Sequence, residues 1–293
     1  MKVFITGASG FIGRNISEQL KDKYTIYVPS SSELDLLKED KVGEYLKMNH
    51  FDIVIHAATW DATRNSKKDL QKVLNNNLRM FFNIARNGNC YGKLIYYGSG
   101  AEYDRSHWFP KMKEEYFDTH VPGDDYGFSK YIMSKYMERS RNIYNLRLFG
   151  VFGRYEDWEI RFISNACCKV MYDLPITIKQ NLFFDYLDIE DLVKITDWFI
   201  SHDARERIYN VCTGKTLDLL SLAKKVLAAS GKKLDILIRK PGLGIECSGN
   251  NEKLLNEMGE YSFKNIDVSI KDLYGWYLSK KDEIKKELLL IDK

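Results

Sequence analysis

A tyrosine and a lysine four residues apart are the first residues that could do chemistry. Tyr126 and Lys130 stand in the run Tyr-Gly-Phe-Ser-Lys, and positions i and i+4 of a helix project from one face. A lysine ammonium beside a phenol lowers the tyrosine pKa and makes it a usable acid or base near neutral pH. The chain has 19 tyrosines, so an exposed Tyr/Lys helix face is the alternative for this pair alone.

Ser99 strengthens the case because of where it stands. It follows the strand-like run Lys-Leu-Ile-Tyr-Tyr, and α/β sheets place their ligands at the carboxyl ends of strands. Together the three side chains predict a proton-transfer site at a sheet edge.

A glycine-rich turn stands where a phosphate-binding loop belongs. Residues 6–13 read Thr-Gly-Ala-Ser-Gly-Phe-Ile-Gly, straight after the first strand-like run and opening the first helical pattern. Gly7 allows the tight turn, Gly10 lets the backbone approach a pyrophosphate, and Gly13 lets the helix pack on the strand. The helix N-terminus offers N–H groups and partial positive charge to phosphates. Three glycines alone also fit a simple tight turn, but this context favours a dinucleotide site.

Strand and helix patterns alternate along the chain and predict a doubly wound parallel sheet of the Rossmann type. Residues 51–58 are nearly all apolar, as expected of a central parallel strand covered on both faces. We expect residues 1–155 to form the dinucleotide-binding core, and residues 156–293 to add the last strands and a small substrate-binding lobe. Strands are predicted at 2–6, 24–28, 51–58, 93–99, 143–149 and 207–212, and helices at 12–21, 42–48, 70–87, 126–141, 161–171, 216–230 and 251–258.

Composition excludes several classes of protein. The 293 residues carry a net charge of +3, from 44 basic and 41 acidic side chains, which gives no footprint for nucleic acid. Five cysteines without metal-type spacing indicate reduced, buried thiols and no metal site. No secretory signal and no apolar run of membrane-spanning length stand out, so we expect a cytoplasmic protein. The C-terminal run from Lys280 is amphipathic and predicts a surface helix.

Seven motifs together resemble one known family. TGASGFIG, HAA at 56–58, GSGAEY, YGFSK, LRLFGVFG, FDYLDIEDL and YNVCTGK are similar, in this order, to the extended short-chain dehydrogenases/reductases that modify nucleotide sugars, the NAD-dependent epimerase/dehydratase type. The resemblance covers nearly the whole chain. It implies that Ser99, Tyr126 and Lys130 form the catalytic triad, and that Asn77 is the family's helix asparagine. It also implies hydride transfer at a sugar carbinol carbon, with Tyr126 exchanging the proton, Lys130 holding the nicotinamide ribose and Ser99 binding the carbonyl oxygen.

Departures from the family pattern reduce the number of reactions that the resemblance allows. Similar 4,6-dehydratases have an Asp-Glu pair just after the catalytic serine or threonine, where this chain has Gly100 and Ala101. The epimerase-reductases that make GDP-fucose have a cysteine at the position of Ala101. Dehydration and 3,5-epimerisation are therefore disfavoured, and simple C4 chemistry remains: reduction of a 4-keto sugar, which a releasable NADPH would suit and which we favour on the cofactor stretch below, or 4-epimerisation with a tightly held NAD. A non-catalytic dinucleotide sensor and a reductase of non-sugar carbonyls are further alternatives.

The end of the second strand bears on the cofactor. Family members that hold NAD usually have an acidic residue there, but this chain reads Val28-Pro29-Ser30-Ser31-Ser32. Serine hydroxyls and Arg14 could bind a 2′-phosphate, which favours NADP over NAD; a plain loop and a solvated arginine are the alternative. The expected cofactor-binding residues are Gly7, Ser9, Gly10, Phe11, Ile12, Gly13, Arg14, Ser30, Ser31, Asp35, Leu36, Ala57, Ala58, Thr59, Asn77, Tyr126 and Lys130.

The substrate side gives fewer signals. Gly150 stands where the family often has an asparagine that reaches toward the sugar diphosphate, so the pose of the sugar is expected to differ. Arg154, Arg161 and Arg239 are candidates for the diphosphate or the base, although solvated arginines explain each one equally well.

The family resemblance also implies a homodimer. Extended members usually pair through the helices that here begin near Asn77 and Tyr126, in a four-helix interface. Apolar surface for it is expected from Phe81, Phe82, Met133 and Met137; the alternative is that these side chains face their own sheet.

Overall fold

The computed structural model describes residues 1–60 and 63–291 and is built on a six-stranded parallel sheet. The strand order is β2-β1-β3-β4-β5-β10, so the order reverses beside β1, where open α/β sheets bind ligands. The predicted Rossmann-type fold class is therefore confirmed. The strands of this sheet are β1 (Lys2–Thr6), β2 (Thr25–Tyr27), β3 (Phe51–His56), β4 (Tyr91–Ser99), β5 (Ile143–Leu148) and β10 (Ile208–Val211).

Alternating side chains of the strands fill two cores, one on each face of the sheet. On β1, Val3 and Ile5 join one apolar cluster and Phe4 joins the other, because successive strand residues point to opposite faces. The first cluster is covered by α1 (Phe11–Leu20) and α6 (Ile189–Ser201), and the second by α2 (Glu39–Asn49), α3 (Val73–Ala85) and α4 (Asp125–Met137). Coverage on both faces explains why β3 is almost wholly apolar.

The second half of the chain forms three two-stranded pairs around a third apolar cluster. Among the described strands after residue 155, β10 is the one that joins the main sheet. The pairs are β6 (Gly150–Phe152) with β9 (Tyr186–Asp188), β7 (Ile176–Asn181) with β12 (Ile236–Leu243), and β8 (Phe183–Phe184) with β11 (Leu217–Asp218). Four further helices accompany them: α5 (Phe162–Met171), α7 (Leu219–Ser230), α8 (Glu252–Met258) and α9 (Ile266–Ser279).

The C-terminal run differs from the sequence prediction. It forms a 3₁₀ turn at Lys281–Glu283 and the single helical turn α10 (Lys286–Leu289), where one longer surface helix was expected. Ile284 and Leu289 are buried in the third cluster, so packing rather than helical propensity fixes this segment. Asp292 and Lys293, the end of the run, lie outside the described residues. Of the helices within residues 1–60 and 63–291, none has the length and apolar character that crossing a bilayer requires.

Candidate active site

The glycine-rich turn of residues 7–13, here called the phosphate turn, is built by close backbone contacts. Gly7 has φ +70°, and a Cβ on it would lie 2.6 Å from the Ala58 nitrogen. A Cβ on Gly13 would lie 2.4 Å from the Gly7 carbonyl oxygen. The Gly10 N–H donates to that same oxygen at 3.0 Å, which closes the turn. Glycine is therefore required at both ends of the turn for steric reasons.

The phosphate turn fits the diphosphate of a dinucleotide. Helix α1 begins at Phe11, no side chain caps it, and its first turn contains no acidic residue. Ser9 and Gly10 are exposed. Uncapped N–H groups at a helix start, without a competing carboxylate, form an anion site. Ser9, Gly10, Phe11 and Ile12 are the residues that would hold the diphosphate.

The end of β3 is fixed against β1 by a buried threonine–histidine contact. The Thr6 hydroxyl lies 2.8 Å from His56 Nδ1 and accepts the Ala58 N–H at 3.2 Å. Burial lowers the pKa of His56 to about 3, so the imidazole is neutral at pH 7. Ala57 and Ala58 thus lie beside Gly7, at the edge where the sequence predicted the cofactor path.

Asn77 on α3 organises the loop after β3. Its side-chain oxygen accepts the Trp60 N–H at 2.7 Å and the Thr59 hydroxyl at 3.2 Å, and its amide donates to the Trp60 carbonyl. This is a bidentate hold on the loop that follows Ala58. The next two residues, Asp61 and Ala62, lie outside the described residues.

The loop after β2 contains Glu33, the first carboxylate that follows the second strand in the sequence. Glu33 accepts the Ser30 N–H at 2.7 Å and the Ser30 hydroxyl at 2.8 Å. These bonds lower the pKa of the Glu33 carboxyl, so a negative charge stands against the serine run. The sequence has no carboxylate before Glu33 and suggested nothing that would repel a 2′-phosphate. In the structure Glu33 itself reaches Ser30, because the chain turns back within three residues.

Arg14 also has partners that the sequence did not reveal. Its guanidinium bonds Glu18 at 2.8 Å and lies 3.7 Å from the centre of the Tyr155 ring. Farther along the loop, the Asp35 carboxylate accepts the Leu37 N–H at 2.9 Å, and the Leu36 carbonyl accepts the Asn83 side-chain amide at 2.8 Å. These contacts order the loop expected to lie near the adenine.

Ser99, Tyr126 and Lys130 come together at the end of β4. Ser99 is the last residue of β4, and α4 begins one residue before Tyr126, capped by Asp124, which accepts the Gly127 N–H at 2.9 Å. The Lys130 ammonium donates to the Tyr97 carbonyl at 2.8 Å and lies 5.7 Å from the centre of the Tyr126 ring. The Ser99 side chain lies near enough to the Tyr126 phenol to act on its pKa. The three side chains thus share one sheet edge.

The electrostatics of Tyr126 differ from the sequence expectation. Burial raises its pKa, and the Ser99 side chain and the charges of Arg161 and Arg105 oppose that rise. The sequence had pointed to Lys130 as the cation that matters most. Burial lowers the pKa of Lys130 itself to about 8, against the opposing charge of Glu102. Both side chains therefore titrate in a low-dielectric environment.

The charges of two arginines act on Tyr126. Arg105, which the sequence analysis missed, pairs with Asp124 at 2.8 Å, and its guanidinium lies 5.9 Å from the centre of the Tyr126 ring. Arg161 is the N-cap residue of α5, in the second half of the chain. Arg154 contacts Glu190 at 3.9 Å, and Arg239 lies on β12. Of the three arginines predicted for the substrate, Arg161 is the one whose charge acts on Tyr126.

Gly150 has a steric role of its own. A Cβ at this position would lie 2.5 Å from the Phe184 ring and 2.8 Å from the Asp185 carbonyl oxygen. The strand pair β6–β9 therefore excludes any side chain here, including the asparagine typical of the family.

The helix faces predicted for a dimer are largely filled from within. Phe81, Met133 and Met137 are buried against the sheet of their own chain, so the expectation that they supply interface surface is wrong. In a sheet covered on both faces, the apolar stripe of each helix is used by the core. Phe82 is half-buried, and its neighbour Tyr136 is 43% exposed.

A doubly wound α/β fold with an anion-binding turn after β1 and a Ser-Tyr-Lys cluster after β4 defines a protein of the short-chain dehydrogenase/reductase class. The family model "NAD dependent epimerase/dehydratase family" matches residues 3–212, and the chain belongs to that family.

Individual relatives include both epimerases and reductases. ADP-L-glycero-D-manno-heptose-6-epimerase of Thiobacillus denitrificans is 24% identical over 246 residues, 72% of this chain and 73% of that protein. The dTDP-4-dehydro-6-deoxyglucose reductase of Escherichia coli is 26% identical over 273 residues, 82% of this chain and 85% of that protein. The solved GDP-mannoheptose C4 reductase of Campylobacter jejuni, with NADP bound, superposes with a TM-score of 0.80 at 18% identity, over 94% of this chain and 98% of that one. At that identity the superposition shows the fold alone.

Proposed function

We propose that this protein is a nicotinamide-dependent oxidoreductase of a nucleotide-linked sugar, and that it reduces a 4-keto sugar with Tyr126 as the proton donor. The observation that carries the proposal is the meeting of Ser99, Tyr126 and Lys130 at the sheet edge that also holds the phosphate turn. The names of the relatives, which are reductases and epimerases of nucleotide sugars, support the substrate class.

The hydrogen bonds suggest a role for each side chain. The Ser99 oxygen accepts the Ala101 N–H at 3.1 Å, which directs its own hydroxyl proton to another acceptor, such as a ketone oxygen. Tyr126 donates the proton that the same oxygen needs when the ketone becomes an alcohol. Lys130, anchored on the Tyr97 carbonyl, has further N–H groups for ribose hydroxyls. A nicotinamide, when bound, supplies the hydride.

The turn after Ser99 favours simple C4 chemistry. Ala101 is buried, and a Cβ on Gly100 would lie 3.0 Å from the Phe149 ring. Neither residue has a group that can move a proton, and the packing leaves no room for a longer side chain at Gly100. Removal of water across C5 and C6 would need such groups close to the sugar, so reduction or 4-epimerisation is better supported than dehydration.

For the cofactor we favour NADP, held at its 2′-phosphate by Ser30, Ser31 and Arg14. The Arg14–Glu18 pair is about half exposed on both sides, and exposed ion pairs contribute little, typically about 0–1 kcal/mol. Little free energy would therefore be lost if Arg14 released Glu18 and bound a phosphate instead. Glu33 acts in the opposite direction, because its carboxylate would repel a phosphate bound at Ser30.

The alternative is a 4-epimerase that retains NAD, and Glu33 is the observation that favours it. A carboxylate near the end of the second strand is the feature with which NAD-binding members hold ribose hydroxyls. In that case the protein would be purified with its cofactor and would interconvert two nucleotide sugars without net change in NADH.

The test is a screen of 4-keto nucleotide sugars with NADPH and NADH, read as loss of the reduced-nicotinamide absorbance. Stoichiometric oxidation of NADPH by one such sugar supports the proposal. Interconversion of two sugars without oxidation supports the epimerase. Cofactor binding without turnover of any sugar or simple ketone would leave the non-catalytic dinucleotide sensor.

We also propose that the active form is a homodimer through α3 and α4. Phe82 and Tyr136, whose rings lie 5.2 Å apart, form the apolar part of the exposed face. Replacement of Tyr136 by Glu is expected to convert the dimer to monomers in sedimentation velocity at micromolar concentration. A wild-type protein that sediments as a monomer would contradict the proposal.

A further inference from the structure

A fully buried ion pair lies directly beneath Ser99. Glu102 ends the 3₁₀ turn that follows β4, and Arg147 lies on β5; neither is exposed to solvent. Glu102 Oε2 accepts from Arg147 Nε at 2.7 Å. Burying two charges is costly even when they are paired, and removal of one partner leaves the other charge buried without compensation. The cost of burying an ion pair at this position therefore suggests that the pair has a role other than stabilising the fold.

The other carboxylate oxygen of Glu102 holds Ser99 itself. Oε1 accepts the Ser99 backbone N–H at 2.9 Å, while the Ser99 hydroxyl oxygen accepts the Ala101 N–H. The two residues form a reciprocal capping box, with Ser99 as the cap of the turn and Glu102 as its third residue. We call residues 99–102 the catalytic turn. Because Glu102 bonds the main chain of Ser99, the position of the Ser99 hydroxyl depends on Glu102.

The same network reaches α4, which carries Tyr126 and Lys130. Asn145 donates to Glu102 Oε2 at 3.0 Å and to the Ser134 hydroxyl at 3.0 Å, and Arg147 donates to Ser134 at 3.2 Å. Ser134 lies one helical turn beyond Lys130. One carboxylate thus connects the catalytic turn, β5 and α4.

The Glu102 carboxylate and the Asn145 amide are packed directly against Gly98. A Cβ on Gly98 would lie 2.1 Å from Asn145 Oδ1 and 2.2 Å from Glu102 Oε1. The glycine before Ser99 is therefore explained by the carboxylate behind it. Arg147 also donates to the Tyr103 hydroxyl, which closes the network on its far side.

From these contacts we infer that Glu102 is a positioning residue, which sets the placement of Ser99 relative to Tyr126 and Lys130 and presents a fixed negative charge to Lys130. This rests on the proposed function in that Ser99, Tyr126 and Lys130 are taken as the reacting group. Glu102 itself lies beneath the turn, and its carboxylate acts through Ser99 and Lys130.

The charge of Glu102 gives the inference a signature in the pH dependence of turnover. Lys130 faces the Tyr126 phenol on α4, the Tyr96 ring at 4.5 Å on β4, the neutral His56 on β3 and the Glu102 carboxylate. Burial lowers the pKa of Lys130 to about 8, and Glu102 limits that fall. If the cationic lysine is needed, activity declines above about pH 8. Removal of the Glu102 charge lowers the pKa of Lys130 further, so the alkaline decline moves to lower pH.

Glu102→Gln tests both roles of Glu102, the placement of Ser99 and the negative charge near Lys130. A glutamine that turns its oxygen to Ser99 sets its amide against the donors of Arg147 and Asn145, and the opposite orientation leaves the Ser99 N–H without an acceptor. Since misplacement of a reacting group by about 1 Å can cost a hundredfold in rate, we expect kcat to fall roughly 10- to 100-fold, with KM for the sugar changed less than about threefold. The alkaline limb of the kcat profile should move to lower pH.

Two further variants distinguish a loss of positioning from a loss of folding stability: a matched control at another buried carboxylate, and a double variant that replaces both members of the ion pair. Asp191 is equally buried and accepts from the Tyr261 hydroxyl at 2.9 Å and the Lys264 N–H at 2.8 Å, on the α6 side of the core. Asp191→Asn should lower the melting temperature without moving kcat or the pH profile.

In Glu102→Gln with Arg147→Gln, an amide pair can rebuild the neutral hydrogen bonds, and kcat should recover most of the loss.

Hydrogen exchange supplies a readout that does not depend on activity. Amide exchange of residues 98–103 should be faster in Glu102→Gln than in the wild type and in Asp191→Asn. A wild type that reduces no 4-keto sugar would overturn the proposed function, while faster exchange at these residues would still support the positioning by Glu102. A folded Glu102→Gln with wild-type kcat, an unmoved alkaline limb and unchanged exchange would overturn the inference. So would a double variant that folds but recovers none of the lost kcat.

Discussion

The phosphate turn follows β1 and the catalytic turn follows β4 of the same sheet, yet they are built by opposite means. The phosphate turn consists of main chain packed on main chain: Gly7 against Ala58, and Gly13 against Gly7. The catalytic turn is fixed by buried charged side chains, with Glu102 held by Arg147 and Asn145 from β5. A turn made of backbone contacts depends on the absence of side chains, whereas one made of a polar network depends on partners far along the chain.

This contrast explains what could be read from the sequence. The glycine spacing, together with its place between the first strand and the first helix, locates the phosphate turn, because only glycine fits such contacts. The side chains proposed for catalysis could be assigned only through the resemblance of several motifs to a known family. Glu102 was missed, although the Ser-x-x-Glu spacing at residues 99–102 is the signature of a capping box.

Other misses have similar causes. Arg105 and Glu33 act through loops whose course no periodicity predicts. The assignment of Phe81, Met133 and Met137 to an interface was wrong because an apolar helical stripe does not say whether it meets a sheet or a partner.

The largest effect on turnover should come from a substitution of Tyr126, beside the catalytic turn. Tyr126→Phe removes the proton donor and keeps the ring that packs at the start of α4, so kcat should fall roughly 10²- to 10⁴-fold, the usual range for a general acid. NADPH affinity, measured by fluorescence titration, should stay close to that of the wild type. Turnover at the wild-type rate would remove Tyr126 from the mechanism.

The phosphate turn should respond in binding and stability together. In Gly13→Ala the new Cβ would meet the Gly7 oxygen at 2.4 Å, so the backbone must move. Overpacking of this kind costs about 1–3 kcal/mol, which corresponds to roughly a 5- to 150-fold weaker binding if the strain falls on the bound form. Calorimetric titration and thermal melting measure the two effects.

Gly275→Ala is the control for that substitution. Gly275 lies within α9 with no atom near its would-be Cβ, and alanine is favoured over glycine inside a helix by about 0.5–1 kcal/mol. Its melting temperature should rise slightly with cofactor binding unchanged. If Gly13→Ala behaved the same way, the steric account of the phosphate turn would fail.

Arg14 on α1 and Glu33 in the loop after β2 should shift the preference between NADPH and NADH in opposite directions. Arg14→Ala should weaken NADPH binding roughly 10- to 100-fold and leave NADH nearly unchanged, since one charge-assisted hydrogen bond contributes about 1.5–3 kcal/mol. Glu33→Gln should strengthen NADPH binding by a smaller factor, because this carboxylate is exposed and partly screened. Tighter NADH than NADPH binding by the wild type would favour the epimerase alternative.

The most direct test of the central claim follows the hydride itself. The enzyme is supplied with a 4-keto nucleotide sugar and NADPH that is deuterated at the transferring position of the nicotinamide, and the product is examined by NMR and mass spectrometry. The account predicts one deuterium, bound to C4 of a reduced sugar of a single configuration, and loss of this labelling in Tyr126→Phe. A 4-keto sugar that is recovered without deuterium, or a labelled product formed at the wild-type rate by Tyr126→Phe, would contradict it.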